Sequence, residues 1–600
     1  MCGIAGIVGP GAERRRAELA RMLGAIVHRG PDEAGTWFGP GAALGVRRLA
    51  IVDPQHGHQP VVDPPAGVVV VANGEVYGHR RVRAAHPDHP YRSGSDIEVV
   101  PALHRAHGSA FVEHLPGTWA LGLWEEGPQR LTLARDRFGE RPLYWAQAGD
   151  LLLFASEPRA LLASGLVQVE VDRLTLAHVL RQGYVPPGRS IWSGMGSLPP
   201  ASTLVVHAAD PIPRVARWWR PPEVAPPDGG LGDPVAWLRR ELDRAVQDQL
   251  VADVPVGTFL SGGIDSSTVS ALAARHHPRI AGFAFDMPGG SEVPFARAVA
   301  ERHGIDLHVL APDDLDVVAA LRDVAAVWDE PLADSSTLPT LLLSRFVREH
   351  VTVALTGDGA DELLGGYLCW ARGMLDPADP ARTGVPAAAP RPWWRRGGRA
   401  APTVPPGPGV ARRSADFRAD LGPDDLRALG LPSVSGDDVD LAGYGRGTAD
   451  DIARFDLDHY LPGDILVKTD RASMAASLEV RAPFLDPVVA EGCLRLPPRW
   501  KVDARTEKLL LREACGDLLP AEVLRRPKQG FGSPMGAWLA RPDVDELVHA
   551  SLVAPDAPLG ELVDLAGVAP HLGARDQATW NLLTVALWWE HHRGALAAAT

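Results

Sequence analysis

The spacing of apolar residues changes about a third of the way along the chain. In the first part, apolar and polar positions alternate in short runs separated by turn residues, which is typical of strands. We therefore predict an α+β domain, a β-rich sandwich with a few helices. The predicted elements are a strand, turn and strand over 67–77 with Asn73-Gly74 as the turn, a hairpin of 118–124 with 131–136, and a strand at 151–156.

From Asp233 onwards, runs with helical spacing alternate with short buried runs. Asp233-Pro234 is typical of an N-cap followed by a first-turn proline and predicts a helix that continues to Leu250. The pattern then predicts strands at 256–260, 280–285, 307–310 and 351–356, a turn at 261–267, and helices at 268–275, 294–303 and 338–349. Such alternation predicts an α/β domain with a parallel sheet, followed by C-terminal helices.

The chain of 600 residues is too long for a single core, and the change of pattern divides it. A segment rich in proline and glycine at 220–230 predicts a linker. We therefore predict two domains, at 2–210 and 232–600. A stretch dense in Pro, Ala and Arg at 376–408 predicts a mobile insertion in the second domain.

Composition and charge exclude several classes of protein. The chain is 46% hydrophobic and 22% charged, as in globular proteins, and its net charge of −14 argues against a nucleic-acid surface. No apolar run approaches the roughly 20 residues of a membrane helix, and nothing at the start has the pattern of a secretion signal, so we expect none. The four cysteines lack metal-ligand spacing. We expect a reduced, cytoplasmic protein that binds neither nucleic acid nor membrane.

The second residue is a candidate nucleophile. If Met1 is removed, Cys2 carries both a thiol and a free α-amino group, whose pKa of about 8 makes it a usable base for the thiol. Attack on a carboxamide would create an oxyanion that needs two donors. The side-chain amide of Asn73 and the backbone N–H of Gly74, on the predicted turn, can supply them.

Charged residues near these positions suit an amino-acid substrate. Arg48 can pair with an α-carboxylate, and Glu75 and Asp96 can pair with an α-ammonium group. With Cys2, the segments 28–32, 48–53, 73–77 and 93–96 resemble the glutaminase domain of class II (N-terminal nucleophile, Ntn) glutamine amidotransferases. The resemblance implies an Ntn sandwich and L-glutamine as the ammonia donor, and it adds Ile51 and Val52 to the glutamine-binding residues. It extends through 136–139, 142–144 and 154–157.

A glycine-rich loop in the second domain is a candidate nucleotide site. The heptad Ser261-Gly262-Gly263-Ile264-Asp265-Ser266-Ser267 follows a predicted buried strand and opens a helix. Its glycines let the backbone approach an anion, and its three hydroxyls can donate to phosphate oxygens. There is no Walker loop. The heptad resembles the pyrophosphate loop of ATP pyrophosphatases, which form adenylates.

A second loop, over 356–362, follows the predicted strand at 351–356. Ligands of a doubly wound sheet bind at the carboxyl ends of its strands, so we expect both loops to face one crevice. Asp265 and Asp361 would suit Mg²⁺, which binds few carboxylates together with substrate phosphates.

Three later segments, 467–486, 505–512 and 526–532, extend the resemblance to glutamine-hydrolysing asparagine synthetases over nearly the whole chain. The resemblance implies that Asp358 takes the place of an acidic residue tied to acyl-adenylate formation. It also implies that Lys508 stabilises negative charge on pyrophosphate and on the tetrahedral adduct. The implied ATP-binding residues are Leu260, Ser261, Gly262, Gly263, Asp265, Ser266, Ser267, Phe285, Thr356 and Gly357.

The implied reaction joins the two domains. Cys2 releases ammonia from glutamine, ATP adenylates the β-carboxylate of L-aspartate, and ammonia displaces AMP to give L-asparagine. A homodimer is a possible assembly. An amidotransferase of the same mechanism that acts on another small carboxylic acid stays open, because the segment 332–337 lacks the arginine of the family's Thr-Thr-Ile-Arg-Ala-Ser run.

Two further alternatives are disfavoured. Ring-closing enzymes of the β-lactam synthetase or lasso-peptide cyclase type lack the cysteine that is present here at position 2. A catalytically silent regulatory relative would not be expected to carry a competent residue at every catalytic position.

Overall fold

The structure, a computed structural model, describes residues 1–225, 227–287, 290–312, 315–367, 418–435, 449–502, 506–526 and 530–597. The predicted insertion at 376–408 lies outside the described residues. Within them, the chain forms two antiparallel sheets and one parallel sheet, with helices packed against them.

The first part of the chain contains twelve strands and five α-helices. The strands are β1 Cys2–Val8, β2 Glu33–Gly39, β3 Ala42–Arg48, β4 Val61–Asp63, β5 Val68–Glu75, β6 Thr118–Glu125, β7 Arg130–Arg135, β8 Tyr144–Ala148, β9 Leu151–Ala155, β10 Met195–Ser197, β11 Ser202–His207 and β12 Asp210–Arg217. The helices are Arg16–Ala25, His79–Ala85, Val99–His107, Pro158–Ala163 and Arg173–Gln182. The strands form two six-stranded sheets of order β10-β8-β9-β1-β3-β2 and β12-β11-β7-β6-β5-β4.

The two antiparallel sheets pack face to face, as the alternating pattern predicts. Ile4 and Phe154 of the first sheet share a buried cluster with Val71 and Trp124 of the second. β1 is buried along its whole length, because helix Arg16–Ala25 covers the other face of its sheet. The beginning of β1 therefore lies inside the protein rather than at its surface.

The predicted turn at Asn73-Gly74 is wrong. β5 is unbroken and pairs with β6 in continuous register, with Gly74 opposite Trp119. The dipeptide favours a turn locally, but its pairing with β6 holds it extended. Gly74 has φ +149°, and a Cβ there would lie 2.1 Å from the carbonyl oxygen of Thr118. The glycine thus permits a close approach of two strands. The other predicted strands are confirmed: 118–124 and 131–136 pair as β6 and β7, and 151–156 forms β9.

The second part contains a five-stranded parallel sheet. Its strands are β13 Val256–Phe259, β14 Ala281–Phe285, β15 Asp306–Leu310, β16 Val353–Leu355 and β17 Glu479–Arg481, in the order β15-β14-β13-β16-β17. The first four confirm the predicted strands. β17 was not predicted, because three residues with charged ends carry no strand pattern; its charges are buried and paired with each other.

Helices surround the parallel sheet and complete the second part. The described helices are Pro234–Gln249, Ile264–His276, Val293–His303, Val317–Val327, Thr337–Arg348, Ala360–Leu364, Pro423–Ala428, Ala449–Phe455, Leu466–Ala475, Pro487–Arg495, Leu509–Cys515, Ala521–Arg525, Met535–Leu539, Pro542–Leu552, Ala569–Leu572 and Gln577–Ala597. A wide π-type segment, Asp456–Ile465, precedes helix Leu466–Ala475. Among the described helices, none is both long and apolar enough to cross a bilayer.

Local sequence signals predicted the beginning of one helix correctly and the beginning of another several residues too far along the chain. The Asp233 side chain accepts the N–H groups of Val235 and Ala236, which confirms the predicted N-cap. Helix Ile264–His276 begins before the predicted position 268, so the last four of the seven residues predicted as a turn are already helical. Together, the antiparallel sandwich and the parallel α/β sheet confirm the predicted fold class.

Two candidate active sites and the contact between them

Cys2 lies at the beginning of β1, where the two parts of the chain meet. Its backbone N–H donates to Asn73 Oδ1 at 2.9 Å. Met1 precedes it here, and the Met1 ammonium forms a buried ion pair with Glu479 of β17. Burial alone would raise the pKa of Glu479, but the ammonium and Arg481 outweigh it and hold this pKa at about 2. The first residues of the chain thus reach into the second part.

The Cys2 thiol is in a dry environment. Burial raises the pKa of the thiol, while the Met1 ammonium, the backbone N–H of Leu49 and the nearby Arg48 act in the opposite direction. Leu49 and Ile51 belong to a hydrophobic cluster formed mainly by the second part. This thiol therefore depends on nearby positive charge to form a thiolate.

Asn73 offers an unused donor beside Cys2. Its Oδ1 accepts the Cys2 N–H, which leaves its amide nitrogen to donate elsewhere. That nitrogen, Nδ2, is buried and has no hydrogen-bond partner among the residues that the structure describes. A buried amide without a partner costs free energy unless a ligand accepts its hydrogen bond. The arrangement can therefore stabilise an oxyanion next to the Cys2 sulfur.

Arg48 organises the loop that follows β3. Its Nη1 lies 3.2 Å from Glu33 Oε2 and 3.1 Å from the carbonyl oxygen of Pro54, to both of which it donates. Its Nη2 donates to the carbonyl oxygens of Val52 and Asp53, at 3.0 and 2.9 Å. Arg48 therefore lies beside Cys2 and Val52, and most of its N–H donors already form hydrogen bonds within the protein. Its contact with a substrate carboxylate stays a prediction.

Glu75 and Asp96 form a buried acidic pair on the same side of the sandwich. Burial raises the pKa of Glu75 well above its usual value, and the neighbouring Asp96 raises it further. Burial also raises the pKa of Asp96, whose Oδ2 accepts the Val76 N–H at 2.8 Å. Arg481 lies 3.5 Å from Glu75 and offsets part of this charge. A substrate ammonium would stabilise the ionised pair.

The second candidate site is a cavity of about 470 Å³ at the carboxyl ends of the parallel strands. The two loops that were expected to share a crevice do so: a Cβ on Gly357 would lie 2.8 Å from the Cβ of Asp265. Among the residues predicted for ATP, adenylation and Mg²⁺, those that line the cavity are Leu260, Ser261, Gly262, Gly263, Asp265, Ser266, Phe285, Thr356, Gly357, Asp358, Asp361 and Lys508.

Ser267 is placed differently from its neighbours. It lies within helix Ile264–His276, is fully buried and does not line the cavity. Its hydroxyl has no hydrogen-bond partner among the described residues. A contact between Ser267 and phosphate stays a prediction, whereas Ser261 and Ser266 face the cavity and share a hydrogen bond of 2.9 Å.

Lys508 joins the two loops. Its Nζ lies 2.5 Å from Asp265 Oδ2 and 2.6 Å from Asp361 Oδ1. The two carboxylates predicted to bind Mg²⁺ thus lie within reach of a single cation, and their oxygens are the donors that Mg²⁺ prefers. The residues present fit the ion. No group of three or more acidic, His or Cys side chains that could hold a metal occurs within the described ranges.

Two residues that the sequence reasoning did not single out connect the other side of the cavity. Lys468 Nζ donates to Asp334 Oδ2 at 2.7 Å and to Ser336 Oγ at 2.8 Å. Thr469 Oγ1 donates to Asp358 Oδ2 at 3.0 Å. Burial raises the pKa of Asp358, and Lys468 opposes this effect. Helix Leu466–Ala475 contains several polar residues at buried positions. This density of polar residues is the sequence feature that could have identified Lys468 and Thr469.

The next residue of that helix contacts the first site. Asp470 accepts two hydrogen bonds from Arg29, Nη1 to Oδ2 at 2.8 Å and Nη2 to Oδ1 at 2.9 Å. Arg29 Nε donates to the carbonyl oxygen of Cys2 at 3.1 Å. Three consecutive residues, from Lys468 to Asp470, therefore join the cavity to the residue that carries the thiol.

Comparison with known proteins agrees with this two-site arrangement. The family model for asparagine synthase matches residues 237–590, and that for a glutamine amidotransferase domain matches residues 1–219. The chain belongs to the asparagine synthase family. Members of this family join a glutamine amidotransferase to an ATP-dependent ligase, and this chain is such an enzyme.

Relatives match most of the chain. A protein of Mycobacterium tuberculosis, provisionally named a glutamine-hydrolysing asparagine synthetase, is 34% identical over 98% of this chain and 97% of its own length. Asparagine synthetase [glutamine-hydrolyzing] 1 of Bacillus subtilis is 31% identical over 90% of this chain and 88% of its own. Amidase chry2 of Gibberella zeae is 28% identical over 91% and 92%. The predicted family resemblance is confirmed.

Proposed function

We propose that this enzyme is a glutamine-hydrolysing asparagine synthetase, which converts L-glutamine, ATP and L-aspartate to L-asparagine, L-glutamate, AMP and diphosphate. The observation that carries the proposal is the juxtaposition on one helix. Lys468 and Thr469 contact the acidic groups of the ATP-side cavity, and Asp470 holds the arginine that binds the Cys2 carbonyl. A protein that uses both sites in one reaction needs such a fixed relation between them.

In the first half-reaction, the Cys2 thiolate attacks the carboxamide carbon of glutamine. Removal of Met1 would free the α-amine of Cys2 to accept the thiol proton. Asn73 Nδ2 and the Gly74 N–H donate to the oxyanion, while Arg48, Glu75 and Asp96 bind the charged groups of glutamine, with Ile51 and Val52 beside them. Collapse of the adduct releases ammonia and leaves a glutamyl thioester, which water then hydrolyses to glutamate.

In the second half-reaction, the carboxylate of the acid attacks the α-phosphorus of ATP, and pyrophosphate leaves. The loop around Gly262 and Gly263 and the hydroxyls of Ser261 and Ser266 bind the phosphates. Asp265 and Asp361 would hold Mg²⁺, which neutralises phosphate charge when it is bound. Lys508, displaced toward the phosphates, stabilises the charge that develops on pyrophosphate and on the tetrahedral adduct with ammonia.

We further propose that the domains span 2–210 and 232–600 and that the enzyme acts in the cytoplasm. The contact between Arg29 and Asp470, which joins the two sites, is buried and excludes water. Exclusion of water between the sites suits a reaction in which ammonia passes from one site to the other without being protonated. Assembly as a homodimer is a separate proposal that a mass measurement in solution would test.

Release of pyrophosphate tests the proposed reaction. The enzyme is incubated with ATP, Mg²⁺ and either glutamine or ammonium, and each of a set of acids is added in turn: L-aspartate, L-glutamate, succinate and an aromatic carboxylic acid. We expect release that depends on aspartate, with asparagine formed in equal amount. Release with a different acid only would contradict aspartate as acceptor while leaving the adenylating mechanism intact.

A further inference from the structure

The cavity has an end that the ATP-binding loops do not form. Arg418 lies there between two tyrosine rings: its Cζ is 4.2 Å from the ring centroid of Tyr460 and 5.6 Å from that of Tyr367. Tyr184, from the first part of the chain, packs edge-on against Tyr460 with centroids 6.1 Å apart. Stacking on aromatic faces holds a guanidinium in one orientation at small cost in entropy. Arg418 is thus a preorganised cation in the cavity wall.

The charge of Arg418 is only partly used within the protein. Its Nη2 forms an ion pair of 2.7 Å with Asp456, the first residue of the π-type segment. Its Nε is buried and finds no hydrogen-bond partner in the part of the chain that the structure describes. Burial raises the pKa of Asp456 and Arg418 lowers it, with a result of about 6. A buried guanidinium nitrogen without an acceptor is costly, so a bound anion would stabilise it.

The other cations of the cavity are engaged elsewhere. Lys508 lies between Asp265 and Asp361, and Lys468 donates to Asp334 and Ser336. Arg512 donates to the carbonyl oxygens of two residues on its own segment, and Arg526 pairs with an acidic side chain. The segment 332–337, where the family's arginine was expected, supplies no cation. Arg418 also has an ion pair, but its Nε has no acceptor among the described residues and can therefore bind an acidic group of a ligand.

An acidic residue at the same end complements Arg418. Asp464 lines the cavity, and its Oδ1 is buried with no hydrogen-bond partner among the described residues. Burial and the neighbouring Asp334 raise the pKa of Asp464 well above its usual value, while Lys468 and Arg418 oppose this. Asp464 lies four residues after Tyr460 on the same π-type segment, and Arg418 stacks on the Tyr460 ring. One end of the cavity thus holds a donor nitrogen, Arg418 Nε, and an acceptor oxygen, Asp464 Oδ1, that have no partner among the described residues.

We propose that Arg418 determines the specificity of the acceptor site by binding the carboxylate of the acceptor that is not adenylated, with Asp464 binding its ammonium group. The acceptor class that satisfies both is an α-amino dicarboxylic acid. This inference rests on the proposed function, because it assumes that the acceptor has two carboxylates. One is adenylated in the cavity, and the other is bound by Arg418. The segment 332–337 lacks the arginine of the family's run, and the inference places the positive charge of the acceptor site on Arg418, more than 80 positions later.

Two acids that differ by a single group test the proposal. L-Aspartate carries an α-carboxylate, an amine and the β-carboxylate that would react. β-Alanine keeps the amine and the reacting carboxylate but has no α-carboxylate. Pyrophosphate release is measured with ammonium as nitrogen source, so that the first site does not contribute, for the wild type and for Arg418→Met and Arg418→Lys. We expect Arg418→Met to lower kcat/KM for aspartate by about 100-fold, mainly through KM, and to leave the rate with β-alanine within about 3-fold of the wild type. Arg418→Lys should recover part of the loss.

Arg217→Met is the matched control. Arg217 forms an ion pair of the same length, 2.7 Å, with Asp458 on the same π-type segment, but it does not line the cavity. It should leave kcat/KM for aspartate and KM for ATP unchanged. If Arg418→Met lowered the rates with aspartate and β-alanine equally, or if it raised KM for ATP as much as KM for aspartate, the assignment would be overturned.

Direct binding separates this inference from the proposed function. If the wild type releases no pyrophosphate with aspartate, the proposed function fails, and equilibrium binding of aspartate to the full chain then decides the role of Arg418. Binding to the wild type that is weakened about 100-fold in Arg418→Met, but not in Arg217→Met, supports the inference. Equal binding to all three proteins, or no binding to any of them, contradicts it.

Discussion

The two candidate sites differ in how they enclose their reacting groups. Cys2 and Asn73 lie inside the sandwich, with 5% and 0% of their surface exposed, whereas the second site is a cavity of about 470 Å³. A thiolate and an oxyanion donor need little space and gain from the exclusion of water, which strengthens their hydrogen bonds. A site that brings ATP and an acid together needs volume. The difference follows from the number and size of the groups that each reaction must align.

The sites also differ in how their charges are balanced before substrates bind. At the first site, Glu75 and Asp96 are buried together and have raised pKa values, so they are poised for a cationic group. At the second, Lys508 already pairs with both Asp265 and Asp361. Under the proposed function, the first site gains charge complementarity from its substrate, whereas at the second site substrate phosphates would have to displace Lys508 from its internal ion pairs.

The strongest test of this division is the removal of the nucleophile. Cys2→Ala should lower glutamine-dependent synthesis by at least about 1,000-fold and leave ammonium-dependent synthesis within about 2-fold of the wild type. Cys493→Ala, a buried cysteine in the core of the second part, should leave both activities in place. Synthesis of amide from each nitrogen source is measured. Retention of the glutamine-dependent rate by Cys2→Ala would remove Cys2 from the mechanism.

The reverse experiment removes the cation of the second site. Lys508→Met should lower pyrophosphate release by about 100- to 1,000-fold, because a fixed positive charge is lost where negative charge develops. Glutamine hydrolysis by the same variant should persist. Lys508→Arg, which keeps the charge with a different shape, should retain more activity than Lys508→Met. A Lys508→Met variant with normal synthesis and poor glutamine hydrolysis would invert the assignment of the two sites.

The contact between the sites can be weakened on its own. Asp470→Asn removes one of the two carboxylates that pair with the buried Arg29, while Glu157 remains, and should lower the free energy of unfolding by about 2 kcal/mol. We also expect more glutamine to be hydrolysed per pyrophosphate released, since Arg29 holds the Cys2 carbonyl. Glu590→Gln breaks an exposed pair of 3.4 Å with Arg322 and should change neither quantity measurably. An unchanged ratio in Asp470→Asn would show that the contact is structural only.

The smallest expected effect concerns the pH dependence of stability. Burial and the neighbouring Asp361 raise the pKa of Glu362 to about 8. The folded protein therefore holds a proton that the unfolded chain loses above about pH 4.5, and stability falls as the pH rises from about 4.5 to 8. Glu362→Gln cannot ionise and should be more stable than the wild type at pH 8.5, on the order of 2 kcal/mol, with little difference at pH 5.

Denaturant unfolding at both pH values, without ATP or Mg²⁺, measures this difference. Glu590→Gln again serves as the control, because its exposed carboxyl should give parallel curves. A wild type and a Glu362→Gln variant with the same pH dependence would show that Glu362 ionises normally in the folded protein.

Local sequence patterns predicted much of the fold and named most of the residues that the structure brings together at each candidate site. The N-cap at Asp233 is a short signal that neighbouring residues decide, and it was placed correctly, whereas the heptad around Gly262 reaches the cavity but already becomes helical at Ile264. Asn73 and Gly74 were identified as candidates, but their turn was wrong because pairing with β6 overrode the local preference. Lys468 and Thr469 were missed, since their partners lie more than 100 positions away.

The sequence by itself determined the order of strands and helices, the motifs of the first and second parts of the chain, and the residue types available for chemistry. These features depend on the spacing of apolar residues and on neighbours along the chain. Only the tertiary structure decided that Lys508 lies between Asp265 and Asp361, that Asp470 holds Arg29 beside Cys2, and that Arg418 faces the same cavity end as Asp464. The reason is physical: each of these contacts closes a long loop of chain, and its partners are selected by packing and by the cost of burying a charge alone.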